Sequence, residues 1–137
     1  MSRIKLDPES LGLSTLMERL SGTHVKDCFR DEESIYFIVN SGELGKAIGK
    51  GGITVKRVQE ELGKKIRIIE YHDNIQVFVR NVIYPLTVER ISEEEGSIIL
   101  RDKNRKTKSL LIGRGGKNLL LINRAVKRFF DKEVKVE

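Results

Sequence analysis

The sequence predicts an α+β fold in which one unit is used twice in tandem, each copy running helix, strand, strand, helix, glycine loop, helix, strand. Three observations predict it. The segment Ile48-Gly49-Lys50-Gly51-Gly52 returns sixty-four residues on as Ile112-Gly113-Arg114-Gly115-Gly116. Each copy is followed at the same distance by an apolar position, Val55 and then Leu119. The hydrophobic periodicity around each copy passes through the same order of elements. The two units are predicted to occupy residues 1–72 and 73–137.

Pro8 to Leu20 is predicted as the first helix, because Leu13, Leu16, Met17 and Leu20 recur at helical spacing and Gly22 closes the segment. His24 to Arg30 alternates, with Val25, Asp27 and Phe29 on one face and His24, Lys26 and Cys28 on the other, which predicts a strand. Asp31-Glu32-Glu33-Ser34 is a hairpin turn. Ile35 to Asn40, rich in β-branched and aromatic residues, is a second strand. Glu43 to Ile48 is a short helix into the first glycine loop. Ile53 to Leu62 leaves the loop with Val55, Val58 and Leu62 inward and Lys56, Arg57 and Glu60 outward, and Gly63 caps it. Lys65 to Tyr71 is a strand with Ile66, Ile68 and Glu70 on one side.

The second copy opens with a helix from Asn74 to Tyr84, capped by Asp73 and ended by Pro85. Its residues favour a strand by propensity, and the repeat decides for helix. Leu86 to Ile91 and Ser97 to Asp102 are strands around a turn at Glu93-Glu94-Glu95-Gly96. Arg105 to Ile112 leads into the second loop, Lys117 to Phe130 leaves it as a helix, and Glu133 to Val136 is the closing strand. Ile66 matches Val134 at an offset of 68 rather than 64, so the last helix is expected to be about a turn longer than its counterpart.

Composition narrows the class. The 137 residues are 39% hydrophobic and 34% charged with two prolines, as in a globular chain. A formal charge of +6 and a pI of about 9.5 suggest a polyanionic partner. The charge is uneven: residues 1–72 hold 12 basic and 11 acidic side chains, residues 73–137 hold 14 and 9. A single cysteine, Cys28, excludes an internal disulfide and a Cys-rich zinc site, and reads as a small buried hydrophobe. His24 and His72 lack metal-ligand spacing, and no Ser/His/Asp or Cys/His grouping presents itself, so neither metal, cofactor nor enzyme activity is expected. No apolar run approaches the ~18 residues of a membrane span, and the N-terminus lacks an apolar signal core. A soluble, cytoplasmic, monomeric protein without membrane contact is the expectation.

The glycines carry the chemistry. A Gly-x-x-Gly turn between helices needs backbone conformations that a side chain makes costly, and it lets the backbone approach a ligand closely. The N–H groups and dipole at the start of the second helix favour an anion, and Lys50 or Arg114 adds a full positive charge there. Other glycine motifs fail. A Walker A loop needs four residues between Gly and Gly-Lys-Ser/Thr, whereas Gly45 to Gly49 has three, and Gly51 stands where the Ser or Thr must be. A dinucleotide fingerprint would need Gly at Thr54 or Asn118. The pattern that fits is the Gly-x-x-Gly loop of the KH domain, which clamps single-stranded RNA.

The element order, with the loop between the second and third helices, resembles the type II KH domain. Two copies, Ala47-Ile48-Gly49-Lys50-Gly51-Gly52-Ile53-Thr54-Val55 and Leu111-Ile112-Gly113-Arg114-Gly115-Gly116-Lys117-Asn118-Leu119, resemble the archaeal NusA-like transcription factors, a family related to the RNA-binding part of bacterial NusA. The resemblance covers essentially the whole chain. Bacterial NusA also carries a polymerase-binding region and an S1 domain, for which these residues have no room. What the resemblance implies is single-stranded RNA binding, a role in transcription termination or antitermination, and RNA polymerase as a second partner.

In that family the strand lies in a groove between the loop helices and the third strand. The implied RNA-binding set is Lys46, Ile48, Gly49, Lys50, Gly51, Gly52, Val55 and Lys56 in the first unit, and Lys108, Ile112, Gly113, Arg114, Gly115, Gly116, Lys117 and Leu119 in the second. Ile48, Val55, Ile112 and Leu119 either line the groove floor or belong to the core. The edges of Ile66-Arg67-Ile68 and Val134-Lys135-Val136 could meet base edges through backbone groups. With aromatics at 6% and no Trp, stacking platforms are not expected. The run Arg101 to Lys108 reads either as a solvated loop or as a phosphate track. Type II KH units also occur singly in a small-subunit ribosomal protein and in ribosome-assembly GTPases. A ribosome-associated or assembly protein, or a protein-docking module on RNA polymerase, is therefore the alternative. A docking module predicts lost or acidic loop residues, whereas Lys50 and Arg114 are intact.

Overall fold

The computed structural model describes residues 8–137. They fall into two compact units that divide after His72. The first holds α1 (Pro8–Ser21), β1 (Val25–Arg30), β2 (Ser34–Val39), α2 (Leu44–Ile48), α3 (Ile53–Leu62) and β3 (Lys65–Glu70). The second repeats that order as α4 (Ile75–Ile83), β4 (Arg90–Glu94), β5 (Ser97–Arg101), α5 (Arg105–Ile112), α6 (Lys117–Lys127) and β6 (Glu133–Val136). A short 3-10 turn joins α2 to α3 at Lys50–Gly52, and another joins α5 to α6 at Arg114–Gly116.

In the first unit the sheet order is β1-β2-β3, with β1 antiparallel and β3 parallel to β2. Parallel neighbours need a crossover, and α2, the loop and α3 supply it. Met17 of α1, Ala47 of α2 and Val58 of α3 share one core with Cys28, Ile35, Phe37, Val39 and Ile66 of the three strands. All three helices thus cover one face. The reverse face is also buried, at Phe29, Tyr36, Ile38 and Ile69, with Phe29 stacked on Tyr36 at 5.0 Å.

The simple alternation expected for β1 is broken. A register irregularity between Val25 and Asp27 turns both Val25 and Cys28 to the core. An extra residue in one strand has this effect. Cys28 is buried, as its setting predicted.

The second sheet runs β4-β5-β6 with the same senses. Helix α4 forms where propensity favoured a strand: Phe78, Val79, Val82 and Ile83 are buried, and Phe129 and Phe130 pack against Phe78 at 5.6 and 5.7 Å. The cap is Asn74 rather than Asp73; its side-chain oxygen accepts from the N–H groups of Gln76 and Val77. Strand β4 begins at Arg90, so Leu86–Glu89 lies outside it, and Glu93 and Glu94 are strand residues rather than turn. The turn is only Glu95-Gly96, with φ of 51° and 79°, a left-handed pair that suits the twist of a two-residue hairpin. Helix α6 stops at Lys127, one residue longer than α3; most of the extra length lies in residues 128–132, ahead of β6.

Candidate nucleic-acid interface

The two loops have one backbone conformation. Gly49 lies at φ 81°, ψ 163° and Gly113 at 76°, 170°; Gly51 at 64°, 17° and Gly115 at 64°, 20°; Gly52 at 77°, 16° and Gly116 at 79°, 10°. The first glycine of each loop is enforced twice over. Its φ and ψ are in a region that is essentially glycine-only, and a Cβ at Gly113 would sit 2.7 Å from the backbone nitrogen of Asn118. At Gly49 the same atom would sit 2.9 Å from the nitrogen of Thr54. Around Gly51 and Gly115, by contrast, the space is open. The first glycine lets the chain double back onto the next helix; the open pair leaves room for something outside the protein.

Both loops are on the surface. Lys50, Gly51, Arg114 and Gly115 are exposed, and Lys56 and Lys117 stand exposed on the helices that follow. Neither helix start is capped by a side chain. The first N–H of α3 is nonetheless used, since Ile53 donates to the carbonyl of Lys50, as Lys117 does to Arg114. That N–H is thereby taken from the set expected to meet an anion at the helix start, a correction made by the tight turn.

Local bonds fix each loop. The backbone N–H of His24 donates to Glu43 at 3.0 Å, tying the start of β1 to the entry of α2 and holding the Glu43 carboxyl below its ordinary value. In the second unit the side-chain amide of Asn118 donates to the carbonyls of Leu110 (3.2 Å) and Leu111 (3.0 Å), binding the start of α6 to the end of α5.

The apolar residues divide. Ile48 and Ile112 are exposed, so they are not core. Val55 packs on the first core and Leu119 is half-buried. The lysines divide too. A Cβ at Gly22 would meet Lys46 Cε at 3.3 Å and Nζ at 3.6 Å, so this side chain lies across the C-terminal end of α1, where a helix attracts cations. Lys108 is not its counterpart: at the repeat offset Lys46 matches Leu110, and Lys108 matches Leu44. The basic run is no loop either, since Arg101 ends β5 and Arg105 to Lys108 open α5. Arg101 is engaged by Glu94 and Glu137.

β3 and β6 are edge strands. Tyr71 and Glu137 donate inward, to Val39 and Leu100, so by alternation Ile66, Ile68, Val134 and Val136 turn their backbone groups outward. The first of these are already occupied. Gln59 accepts from the N–H of Ile66 at 3.3 Å. Asn123 accepts from the N–H of Val134 at 2.8 Å and donates to its carbonyl at 3.0 Å. The edge expected to be open along its length therefore begins at Ile68 and Val136. The signal was present in the sequence, since Gln59 and Asn123 stand at the repeat offset with an amide side chain in both helices.

Among the described residues, no group of three or more His, Cys, Asp or Glu is placed to hold a metal, and no helix is long and apolar enough to cross a membrane.

A helix, a Gly-x-x-Gly loop and a second helix packed beside a parallel edge strand define a KH-type fold, and a family model described as KH domain matches residues 14–87. Curated relatives extend the match. A protein of Methanococcus vannielii named "Probable transcription termination protein NusA" is 35% identical over 90% of this chain and 72% of its own length. Proteins of the same name from Methanocaldococcus jannaschii and Halococcus morrhuae are 34% and 32% identical, over 93% and 94% of this chain and 72% and 94% of their own. The crystal structure of APE1850 superposes with a TM-score of 0.78 at 27% identity, over 96% of this chain and all of that one. The chain belongs to the KH-domain family and is a NusA-like member of it.

Proposed function

We propose that residues 1–72 and 73–137 are two type II KH domains in tandem, and that the protein binds single-stranded RNA as a non-catalytic transcription termination factor. The observation that carries this reading is the pair of exposed loops with matching backbone angles, each with a cation at the first variable position. Gly49 and Gly113 bring the chain back on itself. Gly51, Gly52, Gly115 and Gly116 leave the backbone bare for a phosphate, and Lys50 and Arg114 supply charge. Ile48 and Ile112, exposed beside the loops, face the bases, and the outward groups of Ile68 and Val136 hydrogen-bond to base edges. Val55 acts from below, packed on the core, and Leu119 holds the corresponding half-buried position. The relatives bear the name of a termination protein, which favours transcription over ribosome assembly and makes RNA polymerase the natural second partner.

The test is a fluorescence titration of the whole chain with a short unstructured RNA and with a duplex of the same length. The single strand should bind more tightly. Its affinity should fall with salt, with a slope of about 0.7 per phosphate neutralised. Equal affinity for the duplex, or no dependence on salt, would contradict the reading.

A further inference from the structure

The two loops share a backbone but not their side chains. At the repeat offset Lys46 becomes Leu110 and Lys56 becomes Leu120, three residues before the first glycine and four after the last. Both leucines are on the surface: Leu120 is 71% exposed and Leu110 48%. The exchange is partly reciprocal, since the exposed Ile53 becomes Lys117. Exposed apolar side chains mark a contact surface where they are rimmed by polar groups that suit the same partner.

The surrounding charge indicates the partner. From Lys103 to Phe130 there are nine Lys or Arg and no Asp or Glu. The corresponding first-unit segment, Val39 to Ile66, has six Lys or Arg and three Glu. Lys117 lies three residues before Leu120 on α6, the spacing of neighbours on a helix surface. Acidic groups enter at the two ends of this run, Glu89 and Asp102 beside Lys103 and Asn104, and Asp131 beside Arg124 and Arg128. Apolar groups set among so many cations fit a molecule that offers a polyanionic spine beside flat apolar faces. A nucleic-acid strand does so at every nucleotide.

We infer that the second loop is an added nucleobase-contacting site in which Leu110 and Leu120 pack against bases of the bound strand, whereas the first loop, with Lys56 in the place of Leu120, lacks that extra apolar contact. The inference rests on the RNA-binding reading above. It makes the two units unequal readers: beside the contacts common to both, the second adds an apolar grip on the bases where the first adds charge.

The test uses the whole chain carrying Leu110→Ser and Leu120→Ser together, with two probes: an unstructured RNA and an abasic strand of the same length. Leu120 is largely exposed and Leu110 about half exposed, so the variant should lose only a few degrees of melting temperature, and a cooperative melt serves as the folding control. For RNA the affinity should fall about tenfold, the loss of part of two leucine contacts, with an unaltered salt slope. For the abasic strand it should not change. In parallel, Lys56→Ala should lower the salt slope on both probes. Unchanged RNA affinity in the folded leucine variant would overturn the inference and leave the patch to a protein partner. An equal loss on the abasic strand would also overturn it. Failure of the wild-type chain to bind RNA would instead refute the functional reading on which the inference stands.

Discussion

Replacing Gly113 by alanine and, separately, Gly115 by alanine tests what each glycine is for. Gly115 sits at φ 64°, ψ 20° with nothing within 4 Å of an added Cβ. Its substitution costs only the left-handed backbone, roughly 1–2 kcal/mol. Gly113 sits at φ 76°, ψ 170°, where a side chain costs up to about 3 kcal/mol. Its Cβ would also meet Asn118 N and Cβ at 2.7 Å, so α6 must move and the Asn118 bonds to Leu110 and Leu111 are threatened, at about 1 kcal/mol each. The sum is about 3–5 kcal/mol against about 1–2. In a domain whose whole stability is about 5–15 kcal/mol, the first change brings the second unit near to unfolding. Circular-dichroism melts should register Gly115→Ala as a drop of about 4–8 °C for each kcal/mol lost, and Gly113→Ala as a clearly larger one, roughly two to three times at the middle of these ranges. Equal drops for the two variants would refute the division of labour.

Two further outcomes follow from local contacts. Asn123→Ala removes the two bonds its amide donates, to Leu119 and Val134, and the one it accepts from Val134. It should cost about 2–3 kcal/mol in urea unfolding and speed amide exchange at Val134; a loss below about 0.5 kcal/mol would count against the clamp. Glu94 accepts from the Arg101 guanidinium and from Ser92, which hold its carboxyl at about 2 against an ordinary 4.5. A depressed folded value means that the contribution is complete above about 4.5 and is lost as pH falls through about 2. The pair is exposed, so the effect is small, and Glu94→Gln should flatten the acid limb of the stability profile in that window. An NMR titration placing Glu94 near 4.5 would refute it.

The element order was legible because the glycine loops fix a register that propensity alone does not. Helix α4 is the clearest case. Ile75 to Ile83 favours a strand, and only its place in the repeat marks a helix, which Asn74 then caps. The misses have local causes. A period-two pattern carries no sign of the irregularity between Val25 and Asp27. Three consecutive glutamates read as a turn, yet Glu93 and Glu94 extend β4 because Glu95-Gly96 alone closes the hairpin. At the candidate site, both loops and their cations were readable from residue types. The reach of Lys46 across Gly22 and the hold of Asn123 on Val134 were not, because each depends on which side chains the fold brings together.

The most direct measurement of the central claim is the affinity of the folded Gly51→Asp, Gly115→Asp double variant for unstructured RNA. Both positions have open space, and aspartate tolerates the left-handed backbone better than most residues, so the fold should persist. A carboxylate would then lie against the phosphate that each loop is held to grip. Binding should be lost while the melting curve stays cooperative. A folded double variant that binds RNA as tightly as the wild type would contradict it.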